Sequence, residues 1–444
     1  MLRLIFVFLI VAFGAGASVF SPFYALLFYL WNAYFRPDDW TYGGLVASLN
    51  LSFIIGAYLV VATTVSMPRV RVNLRVLLLA LFLVQTVLST WNSEYYYWSL
   101  SAWIDFSKVL IVSYIIILLA SSDRRRFRSV LLVMAISLGF EMAKQGWAQL
   151  YVAPGAQNNN QIVFLGDNNG VAVGAMMLVP ILSALAQTSS RKWEAFMHRF
   201  LLIGVFMRGL TTYSRGGFLS AAVVGLFTLA RSRKKIRALI GGAVIVAIVL
   251  SVMPQQFWDR MNTINASEED RDTSELGRLH FWFIARVMAE AKPLSGVGFN
   301  AYSQSYEAYN GPSDYGEFSG TRSVHSIWFG VLAELGYPGL VLFVGLLGSS
   351  LWSCWYVSFK CRRDPEKRDL RIYANALMAS LAAYAVGGTF LPFQYNEMAW
   401  HFMALTMTLE FLAKDETLEE TVRVPAMPSP QPALAGVLRR TLQQ

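Results

Sequence analysis

The sequence is built from apolar runs of about 20 residues, the length of one helical crossing of a lipid bilayer. In hydrocarbon every backbone polar group must be hydrogen bonded within the protein, so such runs form helices. Charged residues are only 15% of the 444 residues, against about 25% in soluble domains. The sequence therefore predicts an all-α polytopic membrane protein with about twelve transmembrane helices. The predicted crossings are 4–34, 43–66, 74–91, 98–120, 129–150, 169–188, 199–213, 217–231, 236–253, 323–357, 372–392 and 396–413.

Basic residues predict the orientation, because Lys and Arg concentrate in cytoplasmic connections. Five basic clusters occupy alternate connections between the predicted crossings, so all five can be cytoplasmic together. They lie at 69–75, 124–128, 191–199, 231–237 and 360–371. The remaining connections are then external, including a long polar loop, and both termini are predicted to be cytoplasmic. The net charge of +9 reports this topology and contact with anionic lipids, rather than binding to nucleic acid.

The predicted organisation has four parts. Residues 1–253 carry crossings one to nine, residues 254–322 form the long external loop, and residues 323–413 carry crossings ten to twelve. Residues 414–444 are polar and Pro-rich, and we expect a disordered cytoplasmic tail. The first 18 residues resemble a signal peptide. An uncleaved helix that could break near Pro22 preserves the alternation, so we favour one crossing over 4–34.

His325 is the candidate general base. It lies at the start of the tenth crossing, between two serines, and an imidazole with a near-neutral pKa can deprotonate a sugar hydroxyl. A polar anchor at the membrane boundary is an equally good interpretation from position alone. Of the other histidines, we interpret His198 as a solvated loop residue and His401 as a packing residue, while His280 lies in the long loop beside Arg278.

Arg215 is a candidate phosphate ligand in the external turn Tyr213-Ser214-Arg215-Gly216-Gly217. Glycines let the backbone approach a ligand, and the amides of Gly216 and its neighbour can join the guanidinium around phosphate oxygens. The helix that begins near 217 would also favour an anion at its N-terminus. The alternative is an arginine that extends to the interface. External placement opposes the positive-inside bias and favours the functional interpretation.

Arg278 and Trp282 are one turn apart and would share a face if this part of the long loop is helical. Arg278 is a candidate second phosphate ligand and Trp282 a candidate substrate contact, although Arg278 could instead pair with Glu275 or Asp272. The acidic residues of the loop show no metal-ligand spacing. Cys354 and Cys361 lie together at the inner end of one crossing, which excludes a thiolate metal site in the loop.

Polar residues near other outer helix ends are weaker candidates. Asp167, Asn168 and Asn169 precede the sixth crossing, where they could cap the helix or bind polar substrate groups. Lys144 lies in the outer half of a crossing, where charge is a functional candidate, but an i,i+3 partner, Glu141, could neutralise it. The pair Asp105 and Lys108 has the same spacing, and Arg208 is a further intramembrane charge without a partner in sequence.

Several motifs together resemble the O-antigen ligase/polymerase superfamily. They are Ser-Arg-Gly-Gly at 214–217, Asn-Asn-Gly at 168–170, Arg278-x-x-x-Trp282, Pro-Leu-x-Gly-Val-Gly-x-x-x-Tyr at 293–302, the histidine at 325, and Glu-Leu-Gly-Tyr-Pro-Gly at 334–339. The motifs span about residues 160–350. Many members have His-Asn where this chain has His325-Ser326.

The resemblance implies a C-type glycosyltransferase architecture in the bacterial inner membrane, with short helices in one periplasmic loop. It implies a donor glycan on undecaprenyl diphosphate, with no metal ion or other cofactor. Arg215 and Arg278 would then hold the diphosphate, and His325 would activate an acceptor hydroxyl for inverting attack at the anomeric carbon. Gly216, Asn168, Asn169, Lys144 and Trp282 would contact substrate.

Members of the superfamily differ in the acceptor to which they transfer the glycan. WaaL-type ligases use lipid A–core oligosaccharide, Wzy-type polymerases use a second lipid-linked repeat, and related O-glycosylation ligases use protein. One long loop favours the ligase, which we expect to act as a monomer. The competing class is a flippase or other transporter of polyprenol-linked sugars. A transporter predicts charges that line a membrane path, whereas the candidate residues here gather on the outer side.

Overall fold

The computed structural model describes residues 2–41, 44–154, 156–232, 234–252, 258, 273–316 and 318–422. These residues form helices and turns, with one isolated bridge between Ile162 and Gly166, so the predicted all-α class is confirmed. The helices are α1 (Leu2–Phe20), α2 (Pro22–Phe35), α3 (Pro37–Trp40), α4 (Leu45–Ser48), α5 (Leu51–Ser66), α6 (Leu74–Trp91), α7 (Tyr96–Ala120), α8 (Arg124–Val152), α9 (Asn168–Thr188), α10 (Lys192–Leu210), α11 (Arg215–Arg231), α12 (Lys235–Val252), α13 (Thr273–Ala291), α14 (Tyr302–Tyr309), α15 (Ile327–Lys360), α16 (Arg368–Gly387) and α17 (Glu397–Val422), with a 3₁₀ turn at Gly388–Phe390.

Five of these helices, α1, α6, α7, α9 and α15, are long and apolar enough to cross a membrane. Helix α5 is apolar but shorter. Together they identify a polytopic membrane protein. The total of twelve crossings and the placement of the long loop remain predictions, because length and apolarity alone select only these five among the described helices.

The break expected near Pro22 is present between α1 and α2. The Ser21 hydroxyl accepts a hydrogen bond from the Phe23 amide at 3.2 Å, and Pro22 occupies the first turn of α2. Proline has no backbone N–H to continue α1, but its fixed φ suits a helix start. The sequence therefore both ends one helix and starts the next at this point.

The chain also reverses direction there. A Cβ built on Gly14 would lie 2.5 Å from the Phe28 ring, and the Arg3 guanidinium donates to the Trp40 carbonyl at 3.5 Å. A straight helix would separate positions 14 and 28 by roughly 21 Å. The prediction of one crossing over 4–34 is therefore wrong. The N-terminus lies on the same side of the protein as the segment after α2, and not on the opposite side.

Helix α17 extends past the predicted boundary at 413. Lys414 pairs with Glu410 at 2.6 Å, and Asp415 pairs with Arg71 at 2.6 Å, so both residues belong to the packed end of the helix. The start of the predicted tail at 414 is therefore too early. Residues 423–444 of that tail lie outside the described residues.

Helix α9 is the centre of the packing around the candidate site. Small residues let helices approach closely in a membrane protein, and three glycines of neighbouring helices face the first turns of α9. Gly209 of α10 meets Ala175, Gly217 of α11 meets Ala172, and Gly387 of α16 meets Val173, with built Cβ atoms 2.8, 2.5 and 2.5 Å from those side chains. This packing fixes the end of α10, the start of α11 and the end of α16 around the start of α9.

The 293–299 motif binds directly to α15. The Val297 amide donates to the Ala333 carbonyl at 2.9 Å, and the Tyr337 amide donates to the Pro293 carbonyl at 2.9 Å. These bonds are possible because α15 is interrupted at Gly336, whose φ of 68° is non-helical. The two motifs noted separately in the sequence therefore form one interlocked unit, and α13 and α14 pack beside it in a second apolar cluster.

Candidate active site

The turn between α10 and α11 places Arg215 at the first position of a helix. The Ser214 hydroxyl caps α11 by accepting from the Gly217 amide at 3.3 Å. Helix α11 thus begins at Arg215, earlier than the expected start at 217. Arg215 is half-buried, and the helix N-terminus beside it favours an anion.

The two glycines of this turn differ in their packing. Gly217 lies against α9, with a built Cβ 2.5 Å from the Ala172 side chain. A Cβ on Gly216 would lie 3.4 Å from the Gly387 carbonyl and 3.9 Å from Phe390, which are ordinary contact distances. Close packing therefore explains Gly217 but not Gly216, and the part of both glycines in binding phosphate remains a proposal.

Helix α13 places Arg278 and Trp282 one turn apart, so the condition for a shared face is met. The Trp282 indole N–H donates to the Val324 carbonyl at 3.1 Å, and its ring stacks on Phe329 with centroids 5.2 Å apart. The ring also lies 6.4 Å from that of Phe390. Because Phe390 borders Gly216 as well, Trp282 connects the α11 turn to the segment that holds His325.

His325 is half-buried, and its φ of 48° is unusual for a residue other than glycine. Ser326 follows it and caps α15 by accepting from the Phe329 amide at 3.5 Å, which gives this serine a structural role. Burial lowers the pKa of His325, the nearby charge of Arg278 lowers it further, and Asp167 raises it. The neutral imidazole, which can accept a proton, is therefore favoured. Arg278 and Asp167 both lie near enough to act on His325 electrostatically.

The residues before α9 are mainly structural. Asp167 accepts from the Gly170 amide at 2.9 Å, so the expected capping role is confirmed for this carboxylate. The Asn168 amide donates to the Thr212 carbonyl at 2.8 Å and thus holds the α10–α11 turn against α9. Asn169 donates to Asp167 at 3.3 Å. Asp167 thus lies near His325, and Asn168 contacts the turn that precedes Arg215.

Lys144 and Arg208 have separate environments. Lys144 pairs with Glu141 at 2.5 Å on an exposed face of α8, so the neutralisation expected from their spacing is confirmed. None of the described contacts that join the other candidates includes Lys144. Arg208 is fully buried and donates to Gln145 at 2.8 Å and to the carbonyls of Asn158 and Asn160 at 3.3 and 2.5 Å. It anchors the segment that leads to α9.

The other three histidines are buried in packed surroundings. His280 contacts Ser313 at 2.6 Å and Asn310 at 3.0 Å through its two ring nitrogens. His401 contacts the Tyr34 hydroxyl at 2.9 Å, which supports the packing interpretation. His198 is 2% exposed inside α10, so its interpretation as a solvated loop residue is wrong. The segment before α10 packs over His198: the Ser189 hydroxyl lies 3.1 Å from the Nδ1 atom of its ring.

Phe390 was not identified from the sequence. It lies in the 3₁₀ turn after α16 and contacts both Trp282 and the region of Gly216. An aromatic residue at the end of an apolar helix is typical of packing, so its sequence context carries no signal for a site. Through it, the turn before α11, helix α13 and the start of α15 meet at one end of the helices.

Comparison with known families supports the predicted resemblance. Residues 200–344 match a family model described as O-antigen ligase, and this range includes Arg215, Arg278 and His325. Residues 1–188 match a family of unknown function, DUF5935. No curated protein matches the chain. The family match agrees with the resemblance to the O-antigen ligase/polymerase superfamily, and residues 200–344 of this polytopic membrane protein are similar to the O-antigen ligase family.

Proposed function

We propose that the protein is a WaaL-type O-antigen ligase, which transfers glycan from undecaprenyl diphosphate to a sugar hydroxyl of lipid A–core oligosaccharide. The observation that carries the proposal is the meeting of three distant parts of the chain. The α11 turn with Arg215, the α13 face with Arg278 and the segment with His325 are connected through Trp282 and Phe390.

The proposed reaction is a single inverting displacement. Neutral His325 takes the proton of the acceptor hydroxyl while that oxygen attacks the anomeric carbon of the donor. The bond between this carbon and the phosphate oxygen breaks, and undecaprenyl diphosphate leaves with the electron pair. Arg215, Arg278 and the N-terminus of α11 stabilise the negative charge of the leaving group.

The other candidates have supporting roles in this proposal. Trp282 holds the carbonyl before His325 and thereby orients the base. Gly216, Asn168 and Asn169 border the diphosphate, and Lys144 meets donor groups that extend toward α8. The reaction needs no cofactor, because the diphosphate already activates the donor. We place the site on the periplasmic side of the bacterial inner membrane, in a monomer surrounded by lipid.

A reconstituted transfer assay tests the function. Purified protein in lipid is given lipid-linked glycan with lipid A–core, with a second molecule of lipid-linked glycan, or with a protein acceptor. We expect transfer to lipid A–core. Transfer only to the second or third acceptor would identify a polymerase or a protein ligase, and movement of donor across the bilayer without bond formation would identify a transporter.

His325→Ala tests the mechanism in the same assay. Loss of a general base should slow transfer by about 10²- to 10⁴-fold. The matched control is His198→Gln, a substitution of a histidine buried inside α10, which should leave transfer intact. Thermal melting of both variants shows whether each is folded. Transfer at the wild-type rate by folded His325→Ala protein would contradict the assigned base.

A further inference from the structure

A cavity of about 440 Å³ opens beside the candidate base. Its wall includes Val324 and Gly166, the neighbours of His325 and Asp167. The segment 163–166, the start of α14 and the turn 392–396 close the remaining sides. The volume lies in the range of small-molecule sites, which is about 300–1,000 Å³. A ligand held here would lie against the segment that carries His325, one residue from the candidate base.

The lining has the chemistry of a site for a neutral, hydroxyl-rich ring. Carboxylate and amide groups from Glu334, Asn300, Gln394 and Asn396 supply hydrogen-bond donors and acceptors. Aromatic side chains complete the wall and can pack against the apolar face of a sugar; they are Phe164, Tyr302, Phe393 and Tyr395. Among the described residues that line the cavity there is no arginine or lysine, so the wall does not suit a diphosphate.

One buried acceptor in this wall points to a ligand. Gln394 is 4% exposed, and its amide nitrogen donates to the Glu334 carboxylate at 3.3 Å. Its amide oxygen is buried and has no hydrogen-bond partner among the described residues. Glu334, itself 3% exposed, also accepts from the Tyr302 amide at 3.3 Å. A buried acceptor is normally satisfied, and a hydroxyl of a bound sugar is a donor of the right kind.

We propose that this cavity is a subsite for one neutral sugar ring of a glycan substrate, held against the segment that carries His325. The inference rests on the proposed glycan transfer, since a ring bound beside this segment keeps its glycan near the base. The ring can belong to the acceptor or to the donor glycan, because both offer the same hydroxyl chemistry. Separate kinetic measurements with each substrate distinguish these sources.

The first test fills the cavity. Ser303 lines it and is half-buried, so Ser303→Phe places a ring in the space while Ser303→Ala keeps it open. We expect Ser303→Phe to raise KM at least tenfold for one glycan substrate and Ser303→Ala to leave it unchanged. A rise in acceptor KM assigns the subsite to the acceptor, and a rise in donor KM assigns it to the donor. Equal KM values in the two variants would overturn the proposal.

The second test removes the buried acceptor without filling space. Gln394→Met should raise the same KM about threefold to tenfold, the effect of one lost hydrogen bond. Gln304 provides the matched control, because its side-chain oxygen is also buried without a described partner but does not line the cavity. Gln304→Met should leave KM unchanged. An equal effect of both substitutions would show general loosening and not a subsite.

Direct binding separates this proposal from the proposed function. Saturation-transfer NMR with methyl glycosides of glucose, galactose and N-acetylglucosamine is performed on the full chain in lipid nanodiscs. Binding that Ser303→Phe abolishes and Ser303→Ala retains supports the subsite, even if no acceptor gives transfer. If the wild type transfers glycan but no glycoside binds and the Ser303 variants show equal KM values, the subsite is wrong and the function stands.

Discussion

Replacing Gly296 with alanine should destabilise the protein by about 2–5 kcal/mol. The backbone at Gly296 has a φ of 67°, where a residue with a Cβ is less stable by about 1–2 kcal/mol. The new Cβ would lie 2.3 Å from the Glu334 carbonyl carbon, so the 293–299 segment must move away from α15. That movement breaks the bonds from Val297 and Tyr337, each worth about 0.5–1.5 kcal/mol.

Two other glycines in the same loop separate these contributions. Gly320 has a φ of 80° and open space around it, so Gly320→Ala should show only the backbone effect of about 1–2 kcal/mol. Gly311 has neither a positive φ nor a close neighbour, so Gly311→Ala should be nearly neutral. The free energy of unfolding is measured by titration with sodium dodecyl sulfate in mixed micelles, followed by circular dichroism.

The expected order of destabilisation is Gly296, then Gly320, then Gly311. Equal stability of the Gly296→Ala and Gly320→Ala proteins would refute the close contact with α15. Equal stability of all three variants would refute the left-handed backbone as well. Transfer activity should fall with the Gly296 substitution, because the segment it moves contacts Glu334, which lines the cavity.

Three further predictions concern the site. Burial and Arg278 lower the pKa of His325 while Asp167 raises it, so the acid limb of kcat/KM should lie below pH 6.5. Asp167→Asn, which preserves a good helix cap, should move that limb to lower pH; an unmoved limb would contradict the electrostatic contact. Trp282→Phe keeps the stacked ring but loses the indole donor, so kcat should fall about tenfold with little change in stability. A lower melting temperature of the Trp282→Phe protein would instead show that the tryptophan has a structural role. Arg208→Met leaves the buried Asn158 carbonyl unpaired and should destabilise the protein by about 1–3 kcal/mol, measured by the same detergent titration.

The helical class and most helix positions follow from the spacing of apolar runs, because hydropathy reports burial in lipid directly. The reversal at Ser21 does not follow from hydropathy. The run over 4–34 is uninterrupted by charge, and Ser21-Pro22 marks a helix break without giving the angle of the next helix. The direction is set by tertiary contacts such as Gly14 against Phe28.

In the candidate site, too, some residues can be predicted from the sequence and others depend on tertiary contacts. Arg215, Arg278 and His325 stand out in the sequence because charged or titratable groups at outer helix ends have few structural explanations. Gln394 gives no such signal, since an amide between apolar residues is typical of packing. Its importance depends on the cavity, which is formed by segments far apart in the chain.

The hydrogen bonds between the 293–299 segment and the interruption of α15 at Gly336 limit how this protein can be recombined with relatives. A chimera that exchanges only the residues between α12 and α15 would place a foreign 293–299 segment against an unmatched helix. A productive exchange should therefore have its downstream junction beyond Gly339, so that the graft carries both halves of the contact. Under the proposed function, acceptor preference would then be inherited together with the first third of that helix.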